Sequence, residues 1–139
     1  MKTCSPELHD WIIIGGGLHG THIAIRLLDH YRDQSLSLRI IDPETELMEK
    51  WKRQTTATTM KFLRSPAVHN LATDPFGLMK FGGKKARRRG DKFAYPYNRP
   101  KLSWFNKHCN SLVEKLKSNT EAITIKNINV TINFCLFIQ

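Results

Sequence analysis

Trp11-Ile12-Ile13-Ile14-Gly15-Gly16-Gly17-Leu18-His19-Gly20 is the stretch that decides the fold of this chain. Four apolar, mostly β-branched residues run directly into three glycines, and an amphipathic segment begins at once behind them, so the stretch reads as strand, turn and helix. In the expected helix Ile23, Ala24, Leu27, Leu28 and Tyr31 recur at three- and four-residue spacing, while Arg26, Asp29 and His30 fall on the polar side. Beyond the polar stretch 32–35, Leu36, Leu38 and Ile40 alternate with Ser37 and Arg39, Ile41 completes the run, and Asp42-Pro43 stops it. Two strands flanking one helix form a βαβ unit, whose crossover is right-handed and whose strands are parallel in nearly every known case. The expected class is therefore α/β with a parallel sheet.

The glycines satisfy G-x-G-x-x-G at Gly15, Gly17 and Gly20, with Gly16 inside the turn. The first allows a tight turn, the second lets a backbone approach a pyrophosphate, and the third lets the helix lie against the strand with no Cβ between them. The amides of Leu18 and His19 then open the helix, where free N–H groups and the positive dipole end attract an anion without any cationic side chain. The second half of this fingerprint is an acid closing the second strand, and Asp42 stands 22 residues after Gly20. Its carboxylate suits ribose hydroxyls and repels a 2′-phosphate, so a Rossmann-like site for FAD or NAD is expected rather than one for NADP.

Further along, Glu44 to Arg53 reads as a short helix with Leu47, Met48 and Trp51 on one side, acids early and cations late. Residues 54–100 show no sustained period, hold four prolines (Pro66, Pro75, Pro96 and Pro100), and form an excursion of the kind that serves binding sites. Leu102, Phe105, Cys109, Leu112, Val113 and Leu116 then mark a second amphipathic helix ending near Asn119. Ile123 and Ile125 alternate as in a strand, the phase slips at Lys126-Asn127, and apolar residues resume on even positions from Ile128 to Ile138. Such a run at the end of the chain is an edge strand through which copies could self-associate.

The 139 residues, 40% of them apolar, suit one domain over 1–139. Lys and Arg number 22 against 12 acids, but seven of those cations and one acid fall within Lys80 to Lys92, so the basic character is local. The run Lys84-Lys85-Ala86-Arg87-Arg88-Arg89 has no RNA-binding fold beside it and reads as a surface loop rather than a nucleic-acid contact. Phe93, Tyr95 and Tyr97, interleaved with Pro96 and Pro100, read as a packed return strand rather than a base-stacking array. Three cysteines without a C-x-x-C pair form neither a disulfide framework nor a thiolate zinc site, and no membrane-spanning run or leader is visible, so a cytoplasmic location is expected. His19 and His22, three apart, lack further ligands for a metal, and His108 and Cys109 point in different directions. Cys109 reads as a core residue.

The continuation Gly20-Thr21-His22-Ile23-Ala24-Ile25-Arg26-Leu27 resembles the G-x-x-x-A-x-x-L of flavoproteins with two dinucleotide-binding domains. Met60-Lys61-Phe62-Leu63-Arg64-Ser65 and Asp74-Pro75-Phe76 are similar to the flavin-side segment of the lysine and ornithine N-hydroxylases, which carry Lys-Asp where Arg64-Ser65 stands here. The resemblance runs from about Trp11 to Cys109. It implies FAD as cofactor, with Trp51, Met60 and Lys61 as candidates for lining the flavin, and a monooxygenase-like oxidoreductase in which NADPH reduces the flavin and a substrate amine is oxygenated. In those enzymes NADPH binds an inserted second domain with its own glycine fingerprint. None follows here, so the chain is expected to be an N-terminal portion, incomplete at its C-terminus and without a catalytic residue of its own.

Overall fold

The structure is a computed structural model that describes residues 8–32, 34, 36–83 and 92–118, together with the backbone of 123–127. Strand β1 (Trp11–Ile14) leads into helix α1 (Leu18–His30) and strand β2 (Leu38–Asp42). Helix α2 (Glu49–Ala57) leads into the excursion, which holds the single turn α3 (Gly77–Lys80) and a hairpin of β3 (Phe93–Ala94) with β4 (Arg99–Pro100). Helix α4 (Leu102–Ser118) then returns the chain to β5 (Ile123–Asn127). The main sheet runs β1-β2-β5 with both pairings parallel, Ile13 opposite Ile40 and Ile40 opposite Ile125. This is a mixed α/β fold of Rossmann type, and its strand order is that of one mononucleotide-binding half.

Alternation along the strands puts Ile13, Leu38 and Ile40 on one face, and all three are buried in a single core with Ala24 of α1 and Phe105, Cys109, Val113 and Leu116 of α4. Both helices therefore cover the same face, as two successive right-handed crossovers require. The opposite face of β1 stays open, with Ile12 55% and Ile14 73% exposed.

Helix α1 begins where the sequence places it, but its buried stripe is turned. Thr21 and Ala24 are fully buried while Ile23 is 48% exposed. The small residues Gly20, Thr21 and Ala24 allow α1 to approach the sheet closely, and that approach carries Ile23 outward. The expected helix over 44–53 is displaced. Residues 43–46 bend, Leu47 and Met48 are buried ahead of the helix, and α2 runs from Glu49 to Ala57. Met48, at φ +68°, donates its N–H to the Gly16 carbonyl at 2.8 Å, so a contact with the glycine turn sets where α2 starts.

The aperiodic excursion contributes Leu63, Ala67, Leu71 and Leu78 to the core. The packed strand expected around the tyrosines is a correction: only Phe93 lies in the hairpin strand, and Tyr95 and Tyr97 stand exposed in the turn between β3 and β4. A two-residue strand is too short to bring both rings back onto the core. The basic run 84–89 and the apolar segment 128–138, through which self-association is expected, lie outside the described residues. Among the described residues no helix is long and apolar enough to cross a membrane, and no group of three His, Cys, Asp or Glu side chains is placed to hold a metal.

In α4, His108 and Cys109 are both buried. Burial pushes the Cys109 thiol up to about 12, which leaves it a packing residue without nucleophilic character. The His108 ring rests against Phe81 with centroids 5.0 Å apart, and among the described residues its Nδ1 has no hydrogen-bond partner. Desolvation, helped by the Lys115 charge, brings its imidazole down to about 4. Because the unfolded chain takes up this proton near pH 6.5 and the folded chain does not, stability is complete above that pH and is lost as pH falls towards 4. Urea unfolding should show a loss of about 2 kcal/mol from pH 7 to pH 5 through this group. His108→Leu should flatten that slope; an unchanged slope would mean the folded imidazole protonates freely.

Candidate functional site

The end of β1 is joined to the end of β2 at Gly15, whose N–H donates to the Ile41 carbonyl at 2.7 Å and whose φ of +106° is open to glycine. Gly16 is the hub of the turn. Its N–H donates to Asp42 Oδ2, and its carbonyl accepts from the Thr21 hydroxyl at 3.0 Å and from Met48 N–H at 2.8 Å. A Cβ on Gly16 would meet Leu47 Cδ2 at 3.0 Å and Asp42 Cβ at 3.3 Å. The turn is thus tied to β2, α1 and the N-cap of α2 through the backbone of one residue.

Asp42 accepts a second backbone bond through Oδ1, from Glu44 N–H at 2.8 Å. An ionised carboxylate offers roughly four acceptor positions, so two remain after these bonds. The glycines divide by what surrounds them. A Cβ on Gly20 would sit 1.7 Å from the Gly15 carbonyl oxygen and 3.2 Å from Ile13 Cγ2, so the helix touches the strand there. A Cβ on Gly17 would meet nothing within 4 Å. Gly17 is the N-cap of α1 and supplies no side-chain cap, and no acid stands in the first turn. The first intrahelical bond of the turn runs from Thr21 N–H to the Gly17 carbonyl, so the N–H groups of Leu18 and His19 have no acceptor within the helix. What results is a positive, uncapped helix end facing open space.

The flavin-side candidates form a second group. Trp51, half-buried on α2, donates its indole N–H to Asn106 Oδ1 of α4 at 3.1 Å and packs against Phe105. Asn106 shares a cleft of about 580 Å³ with Met60, which is half-buried, and Lys61, which is exposed. Gly15 to Gly20 and Asp42 are therefore brought together at one end of the sheet. Trp51, Met60 and Lys61 meet around Asn106, and α2 links the two groups because its N-cap Met48 is bonded to Gly16 and the helix carries Trp51.

Sequence reasoning missed Thr21 and Asn106. Thr21 occupies an ordinary helix position, and only its burial beside the Gly16 carbonyl gives it a function in the turn. Thr21→Val should lower stability by about 1 kcal/mol, the usual worth of one buried hydrogen bond, as read from the midpoint of chemical unfolding. Of the two histidines here, His22 bonds the Leu71 carbonyl through Nδ1 at 2.9 Å and His19 is exposed.

A parallel βαβ unit, an uncapped helix end behind a glycine turn and a carboxylate closing the second strand together define a dinucleotide-binding module. Comparison with known families agrees, since the family model described as FAD-NAD(P)-binding matches residues 12–131. The chain belongs to that FAD-NAD(P)-binding family. No curated protein and no solved structure matches it significantly.

Proposed function

We propose that this chain is the FAD-binding part of a flavin-dependent oxidoreductase of the monooxygenase type. The observation that carries the reading is Gly17: at a helix end with unbonded amides, the space a side chain would take is empty. A diphosphate needs that space. In this reading Leu18 and His19 donate their amides to the phosphates, Gly15, Gly16 and Gly20 shape the turn, and Asp42 gives its two remaining acceptor positions to ribose hydroxyls. Trp51, Met60 and Lys61 line the ring end. Bound FAD supplies the electron transfer and oxygen reactivity that no side chain here can provide. The chain's own residues bind and orient it, and NADPH is expected only where a second dinucleotide-binding domain is present.

The test is titration of the purified chain with FAD, NAD and NADP, followed by flavin fluorescence and absorbance. One FAD per chain is expected, with NAD binding more tightly than NADP because of the Asp42 charge. A well-folded chain without affinity for FAD would overturn the reading. A second reading, a nucleotide-binding module without catalysis, is favoured by the burial of His108 and Cys109 in the core. NADPH oxidation that follows the pure chain and is lost in a Gly17→Val and Asp42→Asn double variant would exclude that second reading.

A further inference from the structure

The cleft beside Asn106 has a chemical character of its own. Phe62 and Lys101 pair as an isolated antiparallel bridge, and Leu102 N–H donates to the Lys61 carbonyl at 2.9 Å, so Lys61 and Lys101 are carried on adjacent, mutually bonded segments. Both side chains line the cleft and are exposed, and among the described residues neither makes an ion pair. Ser103 adds a hydroxyl. The Asn106 amide has a defined orientation, because Oδ1 accepts from the Trp51 indole and Nδ2 is left as the donor. Met60, Phe62 and Leu102 supply the apolar lining, and among the described residues no carboxylate lines the cleft. Two further clefts on the molecule both include Asp29, so cation and acid occur together in them.

We propose that this cleft binds the anionic, acceptor-rich edge of a planar small molecule, with Lys61, Lys101, Ser103 and Asn106 as its donors. Two ammonium groups that have no counterion among the described residues favour a negative partner, and the apolar lining favours a weakly hydrated body behind the charge. Trp51 is a positioning residue, since it holds Asn106 with its amino group free. The assignment shares Met60 and Lys61 with the reading above and rests on it only for which molecule brings that edge. A flavin ring presents such an edge along its pyrimidine side, and a separate aromatic carboxylate presents the same chemistry.

The experiment is an amide NMR titration of the full chain with benzoate, with FAD, and with benzoate after saturation with FAD. Benzoate is expected to shift the Ser103 backbone amide and the Asn106 side-chain amide. The double variant Lys61→Gln, Lys101→Gln should bind about tenfold more weakly, the loss expected for two charge-assisted contacts that are both exposed to solvent. If FAD shifts the same two signals and excludes benzoate, the occupant is the flavin edge. If FAD shifts only Gly15 to Gly20 and benzoate still binds, the occupant is a separate anion. If FAD does not bind but benzoate shifts Ser103 and Asn106, the cleft assignment stands and the cofactor reading falls. Silence at both signals with both probes, or a double variant that binds benzoate as tightly as the parent, overturns the proposal.

Discussion

Gly20→Ala should destabilise the protein by about 3 kcal/mol or more, whereas Gly17→Val should leave it folded and weaken its affinity for dinucleotides about 100-fold. The two substitutions lie three residues apart in the same turn and differ in what the new atoms meet. At Gly20 the added Cβ lands 1.7 Å from the Gly15 carbonyl oxygen. That neighbour is backbone, so no rotamer change relieves the overlap, and α1 must move off β1. The core between them, Ile13 and Ala24, opens with it. Against a typical domain stability of roughly 5–15 kcal/mol, such a loss would show as a large fall in the urea midpoint.

At Gly17 the added atoms meet nothing, and φ is −72°, a value any residue adopts. Replacing an N-cap glycine by a residue without a capping group costs only about 1 kcal/mol. The valine would instead fill the volume beside the Leu18 and His19 amides. We expect FAD affinity to fall about 100-fold, close to 2.7 kcal/mol, with the unfolding midpoint lowered by no more than that capping cost. A Gly17→Val protein that binds FAD like the parent would place the diphosphate elsewhere.

Asp42→Ala should produce the second large effect. It leaves the Gly16 and Glu44 N–H groups without their acceptor, and Gly16 is buried. A buried donor left unpaired costs about 1–3 kcal/mol, and charge-assisted bonds lie at the upper end, so a loss of about 3 kcal/mol is expected for the pair. Asp42→Asn should fall about halfway, because the amide has one oxygen for two donors and turns its own NH2 towards the other. On the reading proposed above, the same neutral variant should also narrow the expected preference for NAD over NADP, since it removes a charge that would repel a 2′-phosphate. Urea unfolding and nucleotide titration on the two variants separate these roles: stability reports the turn, and the NAD to NADP ratio reports the ribose.

The ion pairs at the surface make a poor target by comparison. Glu44 with Arg53, Glu46 with Lys117 and Asp74 with Lys80 each hold a carboxyl below its ordinary value through a hydrogen-bonded cation, but each pair has at least one exposed partner and is screened by solvent. They lose their effect only as pH falls through the carboxylate range, below the interval in which His108 acts.

Elements built from contacts near in sequence were legible from the chain alone. The run Trp11 to Ile14, the three glycines and the periodic residues of α1 and α4 state their conformation locally, because a strand period of two and a helix period of 3.6 are written in consecutive side chains. The acid at Asp42 was legible too, since a βαβ unit fixes how far along the chain the second strand ends. Its contact with the Gly16 amide is what the structure adds.

Other features depend on partners distant in sequence. The start of α2 at Glu49 is set by a bond from Met48 to Gly16, 32 residues earlier, and no local signal at 44–48 announces it. Leu63, Ala67, Leu71 and Leu78 are buried in an aperiodic segment, where burial comes from what the excursion folds against. The amide orientation of Asn106 exists only through Trp51, 55 positions away. The sequence by itself determined a parallel βαβ unit with a glycine turn suited to a diphosphate, because strand, turn and helix are each favoured by short-range sterics and periodicity. Only the tertiary structure decided which glycine is required by packing and which opens onto empty space, and it alone assembled the donors around Asn106, because those properties belong to groups that meet after the chain has folded.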